Sequence, residues 1–445
     1  MQLNTSYKQI LSISVPIILG SAVQNVIALS DSVFLYHRSE TDFAAIGFVS
    51  VFYLIIASIG YGFSKGGQII IARRVGEKDF KNVGSSFYTM LFFEMTLSVV
   101  MFLFMRYGSP WFFSLLIDNE QILSKALEYI NYRSFGVFFS YAGVVFIAFY
   151  TGIARTTFII VDTLVLASVN ISLNYILIFG KFGFPEMGIG GAGLASTISE
   201  VVAFILFIGY LVWDKKNRIF QLNKINSFSL ANLKTLLRVS VPIVLQSLIG
   251  LGAWLYFFAK VENLGERELA ITNLVRMVYL VLSIPCWGFS AGVNTMVSTF
   301  IGARKRFGVF PIVQKTALLC LGCTMVLALP FVLYPSFMLY PLLSGGDMTI
   351  IADARNIFYV LGLILCVFSL GGVFYNGLAG TGATFLALCL QFFFALIYVG
   401  FIEIAIGKDE GNLVMAWFAE VVYWAGIMVF CILYLRSKKW YQLKV

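Results

Sequence analysis

Charge is what this chain has least of. Of 445 residues only 12% are Asp, Glu, Lys or Arg, 60% are hydrophobic, and the mean hydropathy is +0.89. Soluble domains carry about 25% charged residues, so a water-soluble fold is excluded and lipid must be the solvent. No polar stretch is long enough to fold as a separate soluble domain. Alternation of apolar and polar residues is missing too, which argues against an outer-membrane barrel. The six cysteines, Cys286, Cys320, Cys323, Cys366, Cys389 and Cys431, stand in apolar segments of the second half without loop exposure; Cys320 and Cys323 are separated by two residues, but inside one apolar run with no second ligand pair. They read as packed thiols. One histidine, His37, and no GxxxxGK[ST], HExxH or Ser/His/Asp arrangement leave nothing for nucleotide hydrolysis, metal catalysis or nucleophilic chemistry. An intramembrane enzyme is thereby disfavoured, and no cofactor is expected.

What the chain has in abundance is apolar runs of roughly 20 residues, the length that crosses a bilayer as a helix. Its polar breaks predict helices at 8–35, 43–70, 85–106, 123–152, 156–180, 188–213, 235–260, 268–298, 311–340, 352–378, 382–406 and 412–436. The first run, from about Ile10 to Phe34, is too long for a signal peptide and reads as a retained helix. Alternate loops are basic: Arg73, Arg74, Lys78 and Lys81; Arg155; Lys215, Lys216, Arg218 and Lys224; Arg304, Lys305 and Arg306; Arg436, Lys438 and Lys439. The intervening loops hold Glu40 and Asp42; Asp118 and Glu120; Glu262, Glu266 and Glu268; Asp347 and Asp353; Asp409 and Glu410. Basic loops stay in the cytoplasm, so both termini are expected there, with the chain in a bacterial inner membrane. The net charge of +9 is thus a topology signal, and no nucleic-acid partner is expected.

The chain repeats itself. Ser14-Val15-Pro16-Ile17 recurs as Ser240-Val241-Pro242-Ile243, Gly62-Phe63-Ser64 as Gly288-Phe289-Ser290, and Gly76 as Gly302, all 226 residues on. Tyr150-Thr151-Gly152-Ile153-Ala154 matches Tyr375-Asn376-Gly377-Leu378-Ala379 at 225, and Glu200-Val201-Val202 matches Glu420-Val421-Val422 at 220. One register held over several spans is a duplication. Six spans per copy make both copies insert the same way, related by an axis along the membrane normal. The expectation is an all-α polytopic membrane protein of twelve helices in two six-helix lobes with pseudo-two-fold symmetry: an N-lobe at 1–213, a basic linker at 214–234 and a C-lobe at 235–445.

Asp31, near the outer third of the first helix, is the strongest functional signal. A carboxylate at such depth costs about 2.5–3.5 kcal/mol on insertion scales, so it is usually kept for an ion or proton. Gln24 shares its helical face. On the fifth helix, Asn170 and Asn174 stand one turn apart, where carboxylate plus amide oxygens would suit a proton or Na+ and intramembrane asparagines also serve as helix glue. Asp31 maps to Phe257 in the repeat, and neither Ala395 nor Val399 replaces the Asn pair, so the polar cluster belongs to one lobe. Glu200 and Glu420 survive in both copies and read as structural. Glu94, Asp162, Lys260 and Arg276 are further intramembrane charges; Arg276 could pair with a carboxylate, snorkel, or meet an anionic part of a substrate. His37 reads as interfacial. Any transport must draw on an ion gradient or run passively.

These features together resemble the multidrug and toxic compound extrusion (MATE) family over essentially the whole chain. The segments that carry the likeness are Pro16 with Asp31, Gly62 through Arg73-Arg74-Val75-Gly76, Thr151-Gly152-Ile153-Ala154-Arg155, Asn170 through Gly180, and Gly190-Gly191-Ala192-Gly193-Leu194-Ala195-Ser196-Thr197. The resemblance implies export of amphipathic compounds or drugs in exchange for H+ or Na+, by a monomer in the bilayer. It makes Asp31 the coupling carboxylate, Asn170 and Asn174 its partners, Ser196 or Thr197 a nearby hydroxyl and Pro16 the hinge. Gln24, Gln246, Arg276 and Thr151 are candidates for the substrate cavity. Thr151 stands where some members carry an acid, and Gly250 and Ser369 fall near cavity carboxylates of others, which favours coupling in the first lobe, as in the DinF-like branch. A lipid-linked oligosaccharide flippase shares the two-lobe plan and would be expected to bring extra C-terminal helices or a strongly cationic cavity.

Overall fold

The computed structural model describes residues 5–222, 228–343, 349–407 and 411–442; Lys224, Asp347, Asp409 and Glu410 lie outside the described residues. Every regular element among the described residues is helical. The twelve main helices are α1 (Tyr7–Arg38), α2 (Glu40–Glu77), α3 (Phe80–Leu103), α4 (Glu120–Gly152), α5 (Thr157–Phe179), α6 (Gly188–Trp213), α7 (Leu230–Glu262), α8 (Glu266–Leu282 and Ile284–Gly302), α9 (Val309–Leu333), α10 (Arg355–Gly380), α11 (Thr384–Ile406) and α12 (Leu413–Arg436). Eleven are long and apolar enough to cross a membrane singly, and the two segments of α8, bent by 42°, make the twelfth.

The ends follow local chemistry. Ser39 caps α2 by accepting from the Asp42 amide, with Glu40 and Asp42 in the first turn, where negative charge meets the positive end of the helix dipole. Asn119 opens α4 by accepting from the amides of Gln121 and Ile122, and Asn412 opens α12 in the same way. Gly180 closes α5 at φ +62°, a left-handed conformation that favours glycine. Two of the expected spans are interrupted, both at prolines. The run at 268–298 breaks after Leu282 because Pro285 has no amide to offer the preceding turn. The run at 311–340 stops at Leu333, since Pro335 pushes Tyr334 out of helical geometry to φ −130°, ψ 55°.

The chain divides into two compact units, Leu19–Val244 and Met1–Ile18 with Leu245–Val445. In the first, α4 is central: it packs against α2, α3 and α6, while α5 lies on α6. Its core includes Val49, Phe52, Ile56, Phe113, Ile130, Val137 and Tyr141, with Phe52 and Phe113 edge to face at 4.9 Å. The second unit repeats this plan, α10 packing against α8, α9 and α12 while α11 lies on α12. The outward faces stay apolar: Val212 and Ile404 are 79% and 73% exposed, an arrangement only lipid would accept. Both unit boundaries fall two residues beyond a repeat proline, Pro16 or Pro242, inside a helix.

Candidate functional site

The polar residues singled out in the first repeat meet in the unit Leu19–Val244. α6 opens with small residues that let backbones approach. A Cβ on Gly191 would lie 2.8 Å from the Leu177 carbonyl group on α5, and one on Gly193 would lie 2.7 Å from the Tyr129 carbonyl oxygen on α4. This close seating, of the small-residue kind that serves helix packing in lipid, carries Ser196 to α5. There the Asn170 amide donates to Ser196 Oγ at 3.2 Å, the Asn174 amide donates to Asn170 Oδ1 at 3.0 Å, and Asn174 Nδ2 also donates to Asp31 Oδ1. The result is one hydrogen-bonded chain from α1 through α5 to α6. Asn170 reaches Asp31 only through Asn174. Asn174 Oδ1 is buried without a hydrogen-bond partner, an open acceptor beside the carboxyl.

Thr197 is turned aside, donating to the Tyr132 carbonyl at 3.0 Å. Gln24 is exposed two turns before Asp31 on α1. Thr151 is buried at the far end of α4, about 28 Å along the helix from Tyr132, the residue that Thr197 bonds, and so stands apart from that hydrogen-bonded chain. Pro16 lies inside α1, where it has no amide to donate to the preceding turn.

In the other unit, the Gln246 side-chain amide donates to the Thr384 carbonyl at 2.9 Å, and Gln391 returns a bond to the Gln246 carbonyl at 3.1 Å. Gln246 therefore ties α7 to α11. Arg276 has no carboxylate partner among the described residues; its guanidinium lies 5.1 Å from the Phe258 ring and its Nε is unbonded. Lys260 pairs with Glu403 at 2.7 Å. Glu420 accepts from the Trp254 indole at 2.8 Å, a structural tie.

Glu94 accepts from Ser64 Oγ at 2.9 Å, while its other oxygen and one oxygen of Asp162 lack partners. His37 is bonded to the Val33 carbonyl at the C-terminal end of α1. Sequence reasoning misses Arg133, whose two terminal nitrogens donate to the two oxygens of Glu200 at 2.7 and 2.6 Å. A cation ten residues inside a predicted span is the available signal; its partner, 67 residues on, becomes apparent only once α4 is packed on α6.

Comparison with known proteins follows this geometry. The MatE family model matches residues 16–176 and again 242–402, the 226-residue register of the repeat and most of the chain. The chain is 25% identical over 442 residues to "Probable multidrug resistance protein NorM" of Photorhabdus laumondii, covering 97% of this chain and 96% of that protein. A protein of the same description from Thermotoga maritima is 23% identical over 389 residues, 86% of this chain and 82% of the relative. Among solved structures, the outward-facing conformation of a multidrug resistance MATE family transporter of the MOP superfamily aligns with a TM-score of 0.89 at 21% identity, covering 97% of this chain and 95% of that one. The chain belongs to the MatE family of membrane transporters.

Proposed function

We propose that this chain is a secondary active antiporter of the bacterial inner membrane that exports amphipathic organic compounds in exchange for protons. Both termini lie in the cytoplasm, and the monomer is the working unit. The observation that carries the reading is the hydrogen-bonded chain from Asp31 through Asn174 and Asn170 to Ser196. The names of the relatives support the substrate class.

A bond from an amide to a carboxylate is roughly twice as strong as one between neutral groups. A proton arriving from outside weakens the hold of Asn174 on Asp31 and turns the carboxyl into a donor. Asn174 Oδ1, uncommitted and buried, is the acceptor for it. Loosened from α5, α1 bends at Pro16 and releases the substrate outward. Return to the inward state lets the proton leave to the cytoplasm and restores the charge-assisted hydrogen bond. A proton fits this site better than Na+. Asn170 Oδ1 already accepts from Asn174, which leaves few free oxygens for a hard cation.

The test is purified protein in liposomes, offered ethidium and other fluorescent amphipathic cations on one side and headgroup-labelled lipids on the other. Saturable, pH-driven movement of the cations is expected. Lipid translocation without movement of any small compound would replace this reading with a flippase.

Two substitutions extend the test. Pro16→Ala restores a helical hydrogen bond in α1; interior proline costs roughly 3 kcal/mol, so the bent form should become rarer. Exchange should fall at least tenfold with thermal stability unchanged or raised, and an unchanged rate would remove the hinge role. Glu420→Gln keeps an acceptor for Trp254 and should leave pH-driven exchange within about twofold of the parent; its loss would place coupling in the second unit as well.

A further inference from the structure

The coupling chain has a neighbour that the exchange reaction just described does not use. Arg133 and Glu200 form a bidentate pair with side chains 6% and 15% exposed. The guanidinium lies 3.9 Å from the centre of the Tyr53 ring, a cation held on an aromatic face. Gly136 makes room beneath the pair: a Cβ there would clash with Arg133 Nη1 and stand 2.7 Å from Glu200 Oε2 and 3.0 Å from Thr197 Oγ1. One turn before Arg133 on α4, Tyr129 lies close to Ser196, the end of the Asn chain, and interacts through space with Asp31. Arg133 itself acts on Asp31 through space.

We propose that the Arg133–Glu200 pair is a positioning pair of the coupling site, a fixed charge that sets the pH at which Asp31 exchanges its proton. Arg133 faces Asp31 from α4 together with Tyr129. Behind it stand Glu200 on α6 and Tyr53 on α2. α5 presents Asn174 and Tyr175, the latter ringed against Phe34 of α1; its carboxyl, Asp162, is three turns lower, about 18 Å along the helix. On α3, Glu94 is tied to Ser64. Because guanidinium and carboxylate are locked to each other, to the Tyr53 ring and over Gly136, the positive charge stays in place when α1 moves. Asp31 then meets a nearer cation in one state and a farther one in the other. That difference gives one carboxyl two proton affinities, as exchange between two compartments requires. The inference rests on the coupling role of Asp31 given above.

The test reads proton binding directly and needs no substrate. In purified protein, the infrared carboxylic C=O band lost in Asp31→Asn is titrated with pH. Arg133→Gln should move its midpoint up by roughly one unit, since an opposite charge nearby favours the ionised form. Glu200→Gln frees the guanidinium and should move it down by a similar amount. The double variant, with neither charge, should return close to the parent. Opposite shifts that cancel are beyond a merely structural role, which would disturb both variants alike. Should Arg133→Gln fail to assemble, Glu200→Gln carries the test alone: a downward shift supports the pair's role and an unmoved midpoint overturns it. Coincident midpoints alongside an exchange-dead Asp31→Asn would sink this inference only. If Asp31→Asn retains pH-driven exchange, the coupling reading itself fails.

Discussion

Asp31→Asn is expected to abolish gradient-driven efflux while leaving the folded protein intact. The amide has the shape of the carboxyl and keeps an oxygen for the Asn174 donor, so helix packing around it should persist and thermal stability should stay near the parent value. What disappears is the group that binds and releases a proton. A pH difference of one unit stores about 1.4 kcal/mol per proton, enough for the parent to hold a roughly tenfold substrate gradient per proton exchanged. The variant should let the substrate equilibrate and no further. Accumulation ratios in vesicles measure this, and a ratio equal to the parent's would remove the coupling role.

The second large effect concerns Gly191, a residue with no side chain of its own. Gly191→Val places a branched side chain against the Leu177 backbone, where even a Cβ would stand 2.8 Å from the carbonyl carbon and oxygen. A side-chain tip could rotate away; a helix backbone must move bodily. Overpacking costs typically 1–3 kcal/mol, and here it also parts α5 from α6. The Asn170–Ser196 bond, already 3.2 Å, would be lost with it. We expect sharply reduced yield of assembled protein and no exchange from what remains. Gly209→Ala is the control, because a Cβ there meets nothing within 4 Å; it should assemble like the parent, with an exposed-helix gain of roughly 0.8–1 kcal/mol. Equal yields for the two variants would mean that the α5–α6 approach is not tight.

The architecture was legible because membrane spans are written in local composition, and because the duplication fixed a register from Pro16 and Pro242 onward. Helix breaks were less so. Pro285 and Pro335 sit in the sequence as plainly as Pro16 and Pro242, yet α8 and α9 break at the former while α1 and α7 run through the latter. Packing decides which prolines a span absorbs. At the candidate site, Asn170 and Asn174 could be paired on paper because one helical turn separates them, and Asp31 stood out by its cost in lipid. Arg133 and Glu200 could not be paired that way: their contact depends on how α4 meets α6, which the glycines of α6 determine. Gln246 is a case where the bonding partner was not legible in the sequence. Its amide, a polar group in an apolar span, reads as a cavity residue, and it is bound to the Thr384 carbonyl.

Proton exchange at Asp31 is tested most directly by imposing pH and sodium gradients separately on proteoliposomes and following uphill ethidium movement in the parent and in Asp31→Asn. A pH gradient alone should drive accumulation in the parent and none in the variant, with a sodium gradient driving neither. Accumulation driven by sodium alone, or pH-driven accumulation that survives the loss of the carboxyl, would contradict it.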